Sequence, residues 1–149
     1  MPRMDDLDFD SDLFAASSDP DERMIDDATL LRRLRGFVQV GWVPRWWFIL
    51  LDEQDRQLPL LPQIDGVPRS PDARAVDDVG RLLDGFAQGV PQLAIVIERP
   101  GPAAPSPDDL AWQHTIALAS LGADLRLRGV FLAHSGGVDP LVQELPTAA

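Results

Sequence analysis

Between residues 97 and 109 the chain reads IERPGPAAPSPDD, and the residue types best able to do chemistry gather there: Glu98 beside Arg99, then Ser106 and Asp109. A carboxylate that ends a buried strand at a loop is a candidate general acid or base. An arginine in the same place can meet an anion. Each also has a plainer role: Glu98 can pair with Arg99 or Arg69, and Ser106 and Asp109 are good residues to open a helix. The only histidines are His114 and His134. Their spacing from each other and from Asp109 suits no zinc motif, so no metal is expected. Ser106 lies in nothing like Gly-x-Ser-x-Gly, which leaves no nucleophile elbow.

Other chemistries are excluded by what the chain lacks. It has no cysteine, hence no disulfide, thiolate zinc site or cysteine nucleophile. All 13 basic residues are arginine, so no lysine is present for a Schiff base or a Walker-type phosphate loop. No Gly-rich phosphate loop follows any expected strand. GPAAP, 101–105, offers few backbone donors because proline has none. No cofactor is expected.

These residues need elements to hold them. QLAIVIE, 92–98, reads as a buried strand that delivers Glu98 to the loop. Ser106 caps a helix from Pro107 to Leu121, with Leu110, His114, Ala117, Leu118 and Leu121 expected on one face, and Gly122 ends it. RWWFILLD, 45–52, is the clearest strand, apolar throughout and therefore interior. QLPLLPQI, 57–64, should pair with it from an edge, since Pro59 and Pro62 cannot donate to a ladder. A helix is expected from Pro71 to Gln88, capped by Ser70, with Val76, Val79, Leu82, Leu83 and Phe86 buried. A short helix precedes these around 26–36. FVQVGWV, 37–43, reads as a strand, LRLRGVFLA, 125–133, as another, and VDPLV after the HSGG turn as a last one. The sum is an α/β layer architecture: a mixed sheet of about four to six strands with flanking helices.

The 149 residues fit one domain, 26–149, behind a tail, 1–25, that is too acidic and too poor in apolar residues to fold alone. Residues 1–27 hold ten acids against Arg3 and Arg23, which is −8 of the net −11. Leu7, Phe9, Leu13 and Phe14 lie among those acids, an alternation that can dock on a partner. The rest is near neutral, which argues against nucleic-acid binding. No stretch is long and apolar enough for a membrane span, and MPRMDDLDFD has no signal-peptide pattern, so a cytoplasmic chain is expected. Arginine without lysine, with much Ala, Pro, Gly and Asp, fits a GC-rich bacterial genome such as an actinobacterium's. Trp42, Trp46 and Trp47 cluster in sequence. Successive strand residues face opposite ways, so Trp46 and Trp47 cannot both point to one core, and one of them is a candidate partner contact.

The order of motifs resembles the JAB/MPN metallopeptidase-like domain of RadC-type proteins over residues 46–141. FILLDEQDRQL resembles its first hairpin, AIVIERPGPAAPSPDDLAW its motif segment, and LGADLRLRGVFLAHSGGVDPL the strand and turn that follow. The resemblance implies a cytidine-deaminase-like layering. It places the family's two metal-binding histidines at Ile97 and Arg99, its motif serine at Ser106 and its third ligand at Asp109. Isoleucine cannot bind zinc and arginine repels it. Residues 57–64 contain no acid for the catalytic glutamate. A metal-free pseudoenzyme follows: a non-catalytic interaction or assembly module that binds another protein or itself. Its candidate contacts are Trp42, Trp46, Trp47 and the 99–105 loop, with Glu98, Arg99 and Asp109 at its cleft. The alternatives are a metal-independent enzyme using Glu98, Arg99, Asp109 or His134, and a small-molecule or nucleotide sensor in the 97–109 cleft.

Overall fold

The computed structural model describes residues 22–38 and 41–141. The elements, in chain order, are α1 Asp27–Phe37, β1 Arg45–Leu51, β2 Gln63–Asp65, α2 Ala75–Ala87, β3 Gln92–Glu98, α3 Pro107–Leu121, β4 Arg126–His134 and β5 Gly137–Pro140. The strands form one mixed sheet in the order β2-β1-β3-β4-β5. β1 is antiparallel to both β2 and β3, β3 is parallel to β4, and β5 returns antiparallel. The parallel β3–β4 pair needs a crossover, and α3 supplies it.

Strand alternation sorts the apolar side chains into two cores, so the sheet lies between two helical layers. Trp46, Phe48 and Leu50, with Leu93, Ile95 and Ile97, face α2 and α3, which contribute Val79, Leu83, Trp112 and Ile116. Trp47, Ile49 and Leu51, with Ala94 and Val96, face α1, which contributes Leu30 and Leu34. Both β1 and β3 are buried on both faces, as their unbroken apolar runs predict.

Several boundaries differ from the sequence expectation, each for a local reason. Among the described residues of 37–43 no strand forms: Phe37 ends α1, Val38 caps it, and 41–44 are bends ahead of β1, while 39–40 lie outside the described residues. The second strand is Gln63–Asp65 only, because Pro59 and Pro62 interrupt what precedes it and leave one bridge, Leu51 to Gln57. It does lie at the sheet edge. α2 starts at Ala75 rather than Pro71, and Ser70 does not cap it. Instead the Asp72 side chain accepts from Arg74 N–H, and Ser70 Oγ donates to Asp108, 2.5 Å away. Val76 is therefore turned to solvent.

α3 begins where expected, with a full capping box. The Ser106 hydroxyl accepts from Asp109 N–H, and Asp109 accepts from Ser106 N–H. Its buried face, however, is Asp109, Trp112, Thr115, Ile116 and Ala119, not the Leu110–His114–Leu121 line. The helix is apolar on several sides, so periodicity does not choose among them. Seating the large Trp112 ring against Trp46 does, and it leaves Leu118 and Leu121 exposed. The tail boundary also moves. Met24 is completely buried in the α1 core and its N–H donates to Asp55 O, so the fold starts before residue 25. The acidic stretch 1–21 lies outside the described residues.

Candidate functional site

β3 ends with Ile97 facing the α2/α3 side of the sheet and Glu98 facing the α1 side, and the two have different surroundings. Glu98 is 1% exposed and its carboxylate takes four donors. Oε1 accepts from Arg45 Nε at 2.7 Å and Trp47 Nε1 at 3.0 Å. Oε2 accepts from the backbone N–H groups of Trp42 at 2.7 Å and Val43 at 3.2 Å. Arg45 is its cross-strand neighbour, and the guanidinium also lies over the Trp47 ring at 5.2 Å. Burial pushes the Glu98 pKa up, but the bonds from Trp47, Trp42, Arg45 and Val43 together outweigh it and hold the carboxyl below its ordinary value. Glu98 is thus an anchor that is ionised at neutral pH. It pairs with Arg45, not with Arg99 or Arg69.

Arg99, one residue on, turns to the opposite side and meets Asp109. Its Nε lies 3.0 Å from Oδ2 and 3.2 Å from Oδ1, and Nη2 lies 2.7 Å from Oδ2. The remaining donors go to backbone carbonyls of the following loop: Pro100 at 3.3 Å and Pro102 at 2.9 Å from Nη1, and Ala104 at 3.1 Å from Nη2. A guanidinium has five N–H donors, and all five are used. The loop wraps so closely that a Cβ on Gly101, whose φ is +120°, would sit 3.0 Å from Nη1. Burial raises the Asp109 pKa, but the Arg99 hydrogen bond, the Ser106 bonds and the Arg99 charge bring it below its ordinary value.

Above this pair opens a cleft of about 620 Å³. Trp46 and Trp112, in a T-shaped contact at 5.0 Å, line its base with Ile97; Pro100 and Pro102 line one side, and Val67, Pro68 and Arg69 another. The Trp112 indole N–H donates to the carbonyls of Pro68 and Arg69, both at 3.0 Å, which fixes the 67–69 segment over α3.

No family model, curated protein or solved structure matches this chain.

Ile97, Arg99, Ser106 and Asp109 all line this one cleft. There the Arg99 guanidinium takes both oxygens of the Asp109 carboxylate. Among the described residues no group of three His, Cys, Asp or Glu side chains could hold a metal. The tryptophans divide. Trp46 and Trp47 are both buried, on opposite faces of β1, so neither is presented to a partner. Two cores, not one, absorb them. Trp42 is the exposed one, at 69%, with Val43 beside it. His114 is exposed on α3. His134 ends β4 rather than starting the turn. It is buried, with Nε2 2.7 Å from an Asp139 carboxylate oxygen and Nδ1 accepting from Gly136 N–H, and so it takes no part in the cleft.

Sequence reasoning missed Arg45, Gly101, Asp108 and the role of Arg69. Only for Gly101 was a signal present. A loop of prolines lacks donors but keeps every carbonyl, so it is an acceptor-rich cradle, and Arg99 is the cation directly before it.

Proposed function

We propose that the chain is a non-catalytic cytoplasmic interaction module on a metal-free JAB/MPN-like scaffold, binding another protein or a second copy of itself through the 41–44 loop. The observation that carries this reading is Trp42, a large apolar side chain 69% exposed on a backbone that is held rigidly. Glu98 grips the N–H groups of Trp42 and Val43. Gly41, at φ +66°, packs so tightly on the 134–135 backbone that a Cβ would lie 2.6 Å from Ser135 Cα. An exposed tryptophan whose backbone needs no ordering on binding is the kind of anchor on which interface energy concentrates.

The element order supports the scaffold. A strand, a turn and a second strand are followed by a helix, then by a strand, a proline loop and a Ser-x-x-Asp helix start, and last by a strand with a Gly-rich turn. The Arg99–Asp109 pair supports the loss of metal chemistry, because the guanidinium takes the oxygens a cation would need. The test compares residues 22–149 with the same chain carrying Trp42→Ala, by affinity capture and sedimentation. Truncation must spare Met24, which is core. The expected result is a specific partner or dimer held by the first and lost from the second, with stability changed by less than about 0.5 kcal/mol. Equal retention by both would refute the loop as the interface.

A further inference from the structure

The cleft beside the loop has a charge pattern that the interaction reading does not use. Three arginines and three acids line it: Arg45, Arg69 and Arg99 against Glu98, Asp108 and Asp109. Four of these cancel in two internal pairs, Arg45 with Glu98 and Arg99 with Asp109. Arg69 and Asp108 remain. Among the described residues the Arg69 side chain meets no hydrogen-bond or ion-pair partner, and Asp108 meets only the Ser70 hydroxyl, no cation. Both lie at the solvent end of the cleft: Arg69 is exposed and Asp108 half-buried.

The base offers nothing polar. The Trp112 indole N–H is spent on two carbonyls, and the Arg99 donors are all spent on Asp109 and the loop. Trp46, Trp112 and Ile97 there, with Pro68, Pro100 and Pro102 on the walls, make an apolar slot. Its volume of about 620 Å³ lies within the range of small-molecule sites, which combine an apolar body with a few polar groups at fixed points. The occupant that satisfies every part is an apolar body carrying one anion and one cation at the same end.

We infer that this cleft binds a free aromatic α-amino acid. The carboxylate meets the Arg69 guanidinium, the ammonium meets Asp108, and the ring lies in the slot between the tryptophans and the prolines. Arginine suits the carboxylate because its planar fork matches both oxygens. Flat proline and tryptophan faces suit a ring. The inference does not depend on Trp42 or on any partner, since it concerns the chain alone.

The experiment is calorimetric titration of the full chain at neutral pH with L-phenylalanine, 3-phenylpropionate and phenethylamine. The last two lack the ammonium and the carboxylate in turn. L-Phenylalanine should bind saturably, with a dissociation constant on the order of 0.1–1 mM for a ligand of this size. Each truncated analogue should bind at least about tenfold more weakly. Arg69→Ala should weaken L-phenylalanine by a similar factor, and Asp108→Asn, which can keep the Ser70 bond, should weaken it while leaving 3-phenylpropionate unchanged. Both residues are outside the core, so circular dichroism should match the parent. No saturable heat up to about 10 mM, or unchanged affinity in Arg69→Ala, overturns the site. Equal affinity for 3-phenylpropionate overturns the zwitterion.

Discussion

At the end of the sheet where β3 begins, Arg128 reaches out from β4 and donates to Met24 O at 2.6 Å, to Asp55 at 3.2 Å and to Gln92 at 3.4 Å. Gln92 in turn donates to Asp52 O and Asp55. At the end where β3 finishes, Arg99 is as fully engaged, but every partner falls between Pro100 and Asp109. The first arginine joins four segments that are far apart in sequence. The second folds ten residues of chain around itself. Side-chain exposure follows the same division: 3% for Arg128 and 18% for Arg99. One is a clamp on the whole domain, and the other stiffens a single loop. Stiffness at the second end is what a fixed cleft and a fixed Trp42 require, because binding then costs little ordering entropy.

The largest effect is expected at Arg128. Arg128→Met leaves the Met24 carbonyl without its donor, takes the cation from Asp55, which keeps only Gln92, and frees the start of the chain. The expected cost is about 3 kcal/mol in urea unfolding, near the lower bound for breaking one partner out of a buried ion pair. Hydrogen exchange should speed up at residues 22–24, 52–56 and 92 together. Exchange confined to one of these segments would show that the clamp is not shared.

Acid gives the next largest separation. Glu98 and Asp109 sit at the cleft end, and both have pKa values held below the ordinary range by their donors. A carboxyl whose pKa is lower folded than unfolded stabilises the fold fully above the unfolded value. That contribution is lost as pH falls through the folded one. Stability should therefore be level near neutral pH and fall below about pH 4.5, with the 41–44 and 99–105 loops loosening first. Glu98→Gln should flatten much of that fall. An unchanged acid limb in Glu98→Gln would mean that Glu98 carries little of it.

Much of the cleft end was legible in the sequence. The apolar run 92–98 and the Ser-Pro-Asp-Asp helix start fixed β3 and α3 because both signals are local. Ile97, Arg99 and Asp109 line one cleft because the first two lie at the end of β3 and the third opens α3. Their chemistry was not legible, since nothing in the one-dimensional order shows whether Arg99 pairs with Glu98 or Asp109. Strand alternation was the missing step: adjacent residues face apart, which sends Glu98 to Trp47 and Arg99 to α3. Trp46 and Trp47 looked like one core residue and one surface residue until a second core, under α1, was there to take Trp47. The Arg128 end was not legible at all. Its contacts span up to 104 residues, and Met24 lies in a stretch whose composition reads as tail.

A double-mutant cycle on the cleft pair, Arg99→Met and Asp109→Asn, followed by urea unfolding, tests whether the two residues hold the loop together. In Asp109→Asn the side-chain amide oxygen can still accept from Ser106 N–H, so the helix start is kept. If Arg99 and Asp109 compensate one another and together hold the loop, each single change costs about 1–3 kcal/mol. The double change then costs clearly less than their sum, with a coupling of about 1 kcal/mol or more. Additive losses within about 0.3 kcal/mol would contradict the claim that this ion pair organises the loop.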